Sequence, residues 1–490
     1  MRQLIFLIFS LIINIIVSQT VSNIIPKPID TQIAIFEKDS DLKNASISFL
    51  AIDVSDGTTV SELNPDMSLI PASVQKAVTT ATILELFGSG HRFVTKIEYN
   101  GEIDSNGVLN GDLYITGGGD PALGSRFYKD HYGNFISAWA DSVEKIGIKT
   151  INGRIIADES IFPVPVVPGS WTWSDIGNYF GAYASGLTIF DNTYELSFSS
   201  GLKNGDSTRI DSIIPKIPNM VFLNKVKSSD NNSDNAYIYG GPYSDFRIIH
   251  GTIPKGKKDF RIKGSIPNPA LLAAEFLKEK LIAKSINIVG ETTTSLMLEL
   301  DNNIDTLPRK TITQTLSPTL ASLVNQTNMV SYNLFAEHFV KHLGVKRYSC
   351  GDTYSGTMAV ENFWASKGID TKGMYINDGC GLSRMNVITA RQICGILSYM
   401  YKSKNKKVYF ESLPVSGKSG TMSSFARGTS TDGKIHAKTG TISRVRSFAG
   451  YIEANNGKVY SFSIIVNNFN CSSNKMKKKI ETVLTALMKS

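Results

Sequence analysis

The feature that most restricts the fold lies close to the C-terminal end, where Asn456-Gly457 separates two apolar, strand-like runs at 447–454 and 459–466. An Asn-Gly pair between such runs is typical of a tight β-hairpin, because both turn positions need a positive φ. A terminal helix is predicted directly afterwards, from Lys475 to Met488. A strand pair followed by a helix indicates a sheet on which that helix packs.

A second hairpin is predicted early in the chain, from strand-like runs at 47–54 and 59–63. Apolar side chains then recur at helical spacing over 74–87, and Gly88 is a suitable residue to end the helix. The chain therefore leads from a strand pair directly into a helix.

Two more helices are predicted in the second half, one capped by Ser317-Pro318 and one that starts near Ser331. Strands near both ends of the chain with helices between them indicate an α+β fold, in which an antiparallel sheet is covered by helices.

Residues 93–300 differ in character, with short strand-like pieces, frequent turns and a single predicted helix over 268–284. We therefore expect 23–92 and 301–490 to form one domain. The region 93–300 is predicted to be a large β-rich insertion in that domain, made of two small domains.

The N-terminal residues resemble a secretory signal peptide. A basic start is followed by an apolar run from Leu4 to Val17 and then by small or polar residues. The run is shorter than the roughly 20 residues that a membrane span needs. We expect residues 1–22 to be removed and the mature protein to be periplasmic, without a transmembrane segment.

The composition and charge of the chain argue against a nucleic-acid-binding protein and against a cofactor-dependent one. The net charge of +8 over 490 residues is scattered, and no nucleic-acid module or cofactor motif is present. One lysine cluster, at 475–479, is predicted to be a solvated helix face or, alternatively, a weak contact with an anionic envelope surface.

No metal site is expected, because the cysteines form no C-x-x-C pair and lack histidines at ligand spacing. Export would permit disulfides, but the pairing of Cys350, Cys380, Cys394 and Cys471 is not defined by the sequence. The histidines, among them His91, His250 and His338, have no acidic cluster near them in the sequence and are predicted to be surface or capping residues.

The candidate chemistry begins at Ser73 and Lys76, which stand three residues apart at the start of the predicted helix. Residues at this spacing share a helix face, so the amine can reach the hydroxyl. A serine nucleophile needs such a base.

Two further triplets follow in order, Ser331-Tyr332-Asn333 and Lys438-Thr439-Gly440. Each motif alone is weak, but the ordered set S-x-x-K, S-x-N and K-T-G indicates acyl transfer. Ser73 is predicted to attack, and Lys76 to act as base because burial and the nearby Lys438 disfavour its charged form. Ser331 is predicted to relay a proton, and Asn333 to hold Lys76 or the substrate amide.

Lys438 is predicted to bind a substrate carboxylate. Gly440 lacks a Cβ and is expected to let a substrate strand approach the edge of the Lys438 strand.

The chain resembles the DacB-type D-alanyl-D-alanine carboxypeptidases/endopeptidases, which are low-molecular-weight class C penicillin-binding proteins. Besides the three motifs, the resemblance rests on Leu69-Ile70-Pro71-Ala72-Ser73, on 111–115 and 117–121, on 378–384 and on Leu413-Pro414-Val415. It implies a serine transpeptidase/β-lactamase-like fold with an insertion between the first two motifs. The long interval from Ser73 to Ser331 agrees with that insertion.

The resemblance also implies an acyl-serine enzyme that acts on peptidoglycan stem peptides and reacts with β-lactam antibiotics. It implies oxyanion donors at the backbone N–H groups of Ser73 and Thr441, substrate contacts at Thr439 and Gly440, and a substrate-side-chain contact at Arg384. The family usually has serine where this chain has Cys380, so no polar role is carried over to that position.

Two alternatives remain at this stage. A β-lactamase shares the motifs, although the long insertion argues against it. A non-catalytic penicillin-binding envelope protein would keep the fold, although the intact Ser73, Lys76 and Lys438 argue against that.

Overall fold

The computed structural model describes residues 27–303 and 307–490. The predicted signal peptide at 1–22 lies outside the described residues. The strands are β1 Ser46–Asp53, β2 Thr59–Leu63, β3 Val94–Tyr99, β4 Glu102–Ile103, β5 Val108–Asn110, β6 Leu113–Thr116, β7 Thr150–Ile151, β8 Ile155–Asp158, β9 Thr193–Ser200, β10 Thr208–Ile214, β11 Val221–Ser229, β12 Tyr237–Tyr239, β13 Phe246–Pro254, β14 Phe260–Ser265, β15 Asn287–Ile288, β16 Thr292–Thr294, β17 Lys310–Leu316, β18 Ile435–Ile442, β19 Val445–Glu453 and β20 Val459–Asn467. The α-helices are α1 Pro28–Glu37, α2 Gln75–Phe87, α3 Lys129–Tyr132, α4 Phe135–Lys145, α5 Trp173–Ile176, α6 Pro269–Ala283, α7 Ser295–Leu300, α8 Leu320–Val330, α9 Asn333–Tyr348, α10 Thr353–Ser366, α11 Ala390–Lys402, α12 Lys406–Ser412 and α13 Ser473–Met488.

A five-stranded antiparallel sheet joins the two ends of the chain in the order β18-β19-β20-β1-β2. β1 pairs along its whole length with β20, from Ser46 opposite Asn467 to Asp53 opposite Tyr460. Both predicted hairpins are present, and the predicted α+β fold is confirmed. β18, which carries Lys438-Thr439-Gly440, is the edge strand.

Helices cover both faces of this sheet. On one face, Ile480 and Leu484 of α13 pack with α1 and with inward residues of the strands such as Phe448 and Phe462. On the other face, Leu50 of β1 packs against α11. Successive strand residues point to opposite faces, so apolar runs such as β20 fit a strand that is buried on both sides.

Helix α2 lies in the interior of this helical layer. Every residue from Gln75 to Leu84 is buried, and the helix contacts α8, α9 and the edge strand β18. Buried polar side chains are generally hydrogen-bonded within the protein. Thr79, Thr80 and Thr82 donate to backbone carbonyls.

The segment between α2 and α8 forms four further sheets. Two of these sheets have the strand orders β16-β8-β6-β3-β17 and β15-β7-β5-β4. The other two are three-stranded, with the orders β10-β9-β14 and β11-β13-β12. β17, which ends at Leu316, pairs with β3, so these two strands belong to one sheet. The bounds 93–300 of the insertion stay a prediction. The division into two small inserted domains stays a prediction.

Two local predictions were wrong. The segment 93–300 contains a second long helix, α4, whose apolar residues Ile136, Trp139, Ala140 and Val143 follow helical spacing. Helix α8 is capped by Thr319 rather than by Ser317, whose hydroxyl instead accepts from the N–H of Phe93.

Among the helices of 27–303 and 307–490, none has the length and apolar character needed to cross a bilayer.

Candidate active site

Ser73 lies in a short 3₁₀ turn, Ala72–Val74, that leads directly into α2. Ala72 has a φ of 46°, a left-handed conformation that turns the chain sharply before the serine. The Nζ of Lys76, one helical turn further on, lies 3.0 Å from Ser73 Oγ. The structure therefore brings the first predicted pair together.

Lys76 is fully buried, and its amine also donates to the carbonyl oxygen of Cys380 at 2.6 Å. Burial lowers the pKa of Lys76, while Cys380, Asp378 and Glu337 act in the opposite direction. A lysine whose charged form is disfavoured in this way can accept a proton.

The second and third motifs meet each other. Ser331 lies between α8 and α9 with a φ of 60°, and its Oγ accepts from Lys438 Nζ at 2.9 Å. Lys438 is also fully buried and donates to the carbonyl oxygen of Thr439. Burial, then the charge of Lys76, and then that of Arg446 place the pKa of Lys438 well below its usual value.

Asn333 differs from expectation. Its Nδ2 donates to the carbonyl oxygen of Phe180 at 2.8 Å, and no hydrogen bond joins it to Lys76 among the described residues. The described residues thus show no contact for the first of its two predicted roles, and the second, holding the substrate amide, stays a prediction. Asn333 is the first residue of α9, and it connects this helix to the segment inserted between α2 and α8.

Gly440 is required for a reason that the sequence did not show. A Cβ at this position would lie 2.2 Å from Ser447 Oγ, 2.5 Å from the carbonyl oxygen of Pro71 and 3.1 Å from the backbone N of Ser73. The edge strand therefore packs directly against the turn that carries Ser73. Thr439 on the same strand donates to Thr421 Oγ1 at 2.9 Å.

Sequence reasoning missed Arg446. It lies opposite Thr441 in the β18–β19 pair, and its guanidinium donates to the Thr441 hydroxyl. Arg446 has no carboxylate partner in the described part of the chain, and burial lowers its pKa. The sequence does show an arginine in the strand that follows the K-T-G motif. Only the strand register, however, places that arginine beside Thr441.

Arg384 is exposed, and no hydrogen bond or ion pair holds it to another described residue. It follows Ser383 in the loop 378–386, whose Cys380 carbonyl binds Lys76. A structural arginine would be tied to its surroundings, so the geometry leaves its side chain available to a ligand.

All four cysteines are free. Cys380 is fully buried, and its sulfur lies within 4.8 Å of carboxylate oxygens of Glu337 and Asp378. Burial, together with these two acids, places the pKa of the thiol well above its usual value. The group does not resemble a metal centre, because both oxygens of Asp378 already accept N–H donors.

The histidine prediction was wrong for His338 and His342, which are buried in α9. Their rings bond to Thr188 and to the carbonyl oxygen of Gly119, both from the inserted segment. The lysine cluster is only partly solvated, since Lys475 and Lys479 form ion pairs with acids near the N-terminal end.

The fold and the site together define a class: an antiparallel sheet covered by helices, with the serine–lysine pair on a buried helix beside a K-T-G edge strand. This is the serine transpeptidase/β-lactamase-like arrangement. The chain belongs to the D-Ala-D-Ala carboxypeptidase 3 (S13) family, which it matches over residues 29–489.

Individual proteins support this assignment. The chain is 27% identical to the D-alanyl-D-alanine carboxypeptidase of Actinomadura sp. (strain R39) over 88% of this chain and 79% of that protein. Its fold is similar to the crystal structure of penicillin binding protein 4 (dacB) from Haemophilus influenzae, with a TM-score of 0.79, 22% identity and coverage of 91% and 97% of the two chains. A second structure of that protein, complexed with a novel β-lactam, aligns with a TM-score of 0.75, 21% identity and coverage of 91% and 97%.

Gly440→Ala should lower the free energy of unfolding by about 1–3 kcal/mol, because the added methyl group overpacks the contact between β18 and Pro71. Gly90→Ala is the matched control, since a Cβ there meets no atom within 4 Å. Chemical denaturation of both variants measures the effect. Equal stability of the two variants would contradict the proposed close contact.

Proposed function

We propose that the protein is an exported serine D-Ala-D-Ala carboxypeptidase/endopeptidase that acts on peptidoglycan stem peptides through an acyl-serine intermediate and is inhibited by penicillin. The observation that carries the proposal is the pairing of two buried lysine amines with two serine hydroxyls, Lys76 with Ser73 and Lys438 with Ser331. Buried amines beside hydroxyls supply the bases and relays that acyl transfer needs.

In the acylation step, the neutral amine of Lys76 takes the proton of Ser73 while Oγ forms a bond to the carbonyl carbon of the penultimate D-alanine. The bond to the terminal amine then breaks, and that nitrogen receives the proton that Lys76 took from Ser73, passed on through the Ser331 hydroxyl, so that Lys76 is neutral again. Ser331 suits this relay because its Oγ lies 2.9 Å from Lys438 Nζ. Water then hydrolyses the acyl-serine, and the enzyme regains its starting protonation state.

The oxyanion of the intermediate would be stabilised by the backbone N–H groups of Ser73 and Thr441. The close contact of Gly440 with the Ser73 turn supports this pairing, because Thr441 is the next residue on the edge strand. The edge position of β18 leaves one side of the strand for an extended substrate.

The substrate carboxylate would meet a positive charge supplied chiefly by Arg446. Lys438 is buried behind Ser331, whereas Arg446 is half-buried beside Thr441 and has no acidic partner among the described residues. Arginine keeps its charge and offers two parallel N–H donors to a carboxylate. We therefore extend the predicted carboxylate site at Lys438 to include Arg446.

Ser73 should be acylated by penicillin, and intact-mass analysis should show a single adduct. Ser73→Ala should abolish the adduct, and Ser322→Ala, which changes a serine on α8, should retain it. An adduct on the Ser73→Ala variant would show that the nucleophile is another residue. Slow release of the adduct separates the proposed activity from that of a β-lactamase, which hydrolyses it rapidly.

Arg446→Gln should raise KM for a peptide with a free D-Ala carboxylate by about 10-fold or more, since a charge-assisted hydrogen bond is worth about 1.5–3 kcal/mol. Hydrolysis of the carboxyl-amidated peptide should change little. Arg444→Gln is the matched control, because it removes an equal charge from an exposed position two residues away. Equal losses on both peptides would exclude carboxylate recognition by Arg446.

We also propose that Arg384 recognises the side chain of the third stem residue, a contact that the family resemblance implies. Arg384→Lys retains the charge but loses the planar fork, so kcat/KM for a diaminopimelate-bearing peptide should fall by roughly 1–3 kcal/mol. A minimal D-Ala-D-Ala peptide and the melting temperature should be unaffected. A lower melting temperature with equal losses on both peptides would assign Arg384 a structural role instead.

A further inference from the structure

Asp378 is fully buried and accepts four hydrogen bonds. Its Oδ1 accepts from the N–H of Gly381 at 2.7 Å and from Asn386 Nδ2 at 2.7 Å. Its Oδ2 accepts from the N–H of Ser383 at 2.6 Å and from Trp171 Nε1 at 2.9 Å. A protonated carboxyl would present a hydrogen to one of these donors, so the pattern is that of an ionised carboxylate.

These hydrogen bonds fix the loop that holds Lys76. The carbonyl oxygen of Cys380, at the centre of the loop, accepts from Lys76 Nζ at 2.6 Å. The next residue, Gly381, has a φ of 82°, and a Cβ on it would lie 1.9 Å from the carbonyl oxygen of Ala72. The loop is therefore packed tightly against both the base and the turn before the nucleophile.

The groups that face the Lys76 amine come from four elements: Ser73 on its own segment, Asp378 and Cys380 on the loop, Glu337 on α9 and Lys438 on β18. Burial, and then the charge of Asp378, raise the pKa of Glu337 to about 8, and the Cys380 thiol titrates well above its usual range. The electrostatic effects of Cys380, Asp378 and Glu337 raise the pKa of Lys76, against the effect of burial. Of these three groups, Asp378 is the one whose hydrogen bonds are those of an ionised carboxylate.

We propose that Asp378 is a positioning residue for acylation: it orients the Cys380 carbonyl that holds Lys76, and its charge stabilises the ammonium that forms when Lys76 takes the Ser73 proton. Trp171 of the inserted segment holds the carboxylate in place. This inference rests on the acyl-serine function proposed above.

The proton balance is simple. The Ser73 O–H bond breaks, the proton binds Lys76 Nζ, and Oγ bonds to the acyl carbon. Positive charge appears on Nζ, while Asp378 stays ionised and takes no proton. An isolated ammonium is costly in a buried site, so a fixed negative charge beside it lowers the energy of that state.

Through Trp171, the inserted segment contacts the Asp378 carboxylate. Its indole is buried, and its N–H reaches Asp378 from a position 207 residues earlier in the chain. The inserted segment therefore holds the active-site loop as well as helix α9.

The test is the pH profile of acylation by a fluorescent penicillin, recorded for the full-length protein and its variants. The acid limb of the profile reports the deprotonation of Lys76. Asp378→Asn removes the charge, so the limb should move about 1–3 pH units lower, the range expected for loss of a neighbouring opposite charge. The plateau rate should fall by at most the same factor, about 10–1,000-fold, because a less basic amine accepts the Ser73 proton less readily.

Two further variants distinguish the effect of the Asp378 charge from a structural effect of the substitution. Asp378→Glu keeps the charge, so its plateau should fall while its acid limb stays at the wild-type position. Asp352→Asn removes a half-buried carboxylate that caps α10 and does not contact Lys76, so its limb should also stay in place. An unmoved limb in Asp378→Asn would overturn the proposal and leave a purely structural role.

Trp171→Phe provides a second test that does not alter the loop itself. Removal of its N–H should lower the plateau about 3–10-fold, as for one lost hydrogen bond to a charged group in a site that retains three others. Trp173→Phe, at an exposed tryptophan two residues away, should match the wild type. If Asp378→Asn does not fold, wild-type kinetics in Trp171→Phe would overturn the proposal. Absence of any Ser73 adduct in the wild type would instead reject the proposed function.

Discussion

The structure is built around the burial of two lysine amines. Lys76 and Lys438 are removed from water, and each donates to one serine hydroxyl and one backbone carbonyl. Moving an ammonium out of water is costly, so burial favours the neutral amines that acid–base chemistry needs. The charge of Lys76 also lowers the pKa of Lys438.

The need to bury these two amines explains the conformation and packing of the elements around them. Helix α2 is buried on all sides because it carries Lys76 into the interior. The left-handed Ser331 between α8 and α9 directs its hydroxyl at Lys438, and the missing Cβ of Gly440 lets the edge strand approach the Ser73 turn. Each of these local features would be unfavourable elsewhere, and each is stabilised here by the packing around it.

The inserted segment has a direct structural connection to this centre. Helix α9 has a polar side that is buried, and its Asn333, His338, Lys341 and His342 all bond to groups of the inserted segment. Burial lowers the pKa of both histidines to about 3, so they remain neutral and act as hydrogen-bonding groups. The insertion thus supports the helix that begins with the S-x-N motif, and Trp171 extends that support to the Asp378 loop.

The two hairpins, the helix at Ser73 and the three motifs could all be predicted from the sequence, because hairpin turns, helical periodicity and i, i+3 spacing are local properties of the chain. Long-range contacts could not be predicted in this way. The α9 histidines look like capping or surface residues in the sequence, and only tertiary packing shows that the inserted segment supplies their partners and the partner of Asn333. Arg446 and Asp378 join the site through strand register and loop packing, neither of which has a local signature. The sequence by itself therefore determined the chemistry that the chain carries, whereas the tertiary structure decided which charges lie next to that chemistry, because burial and proximity set the protonation state of a lysine.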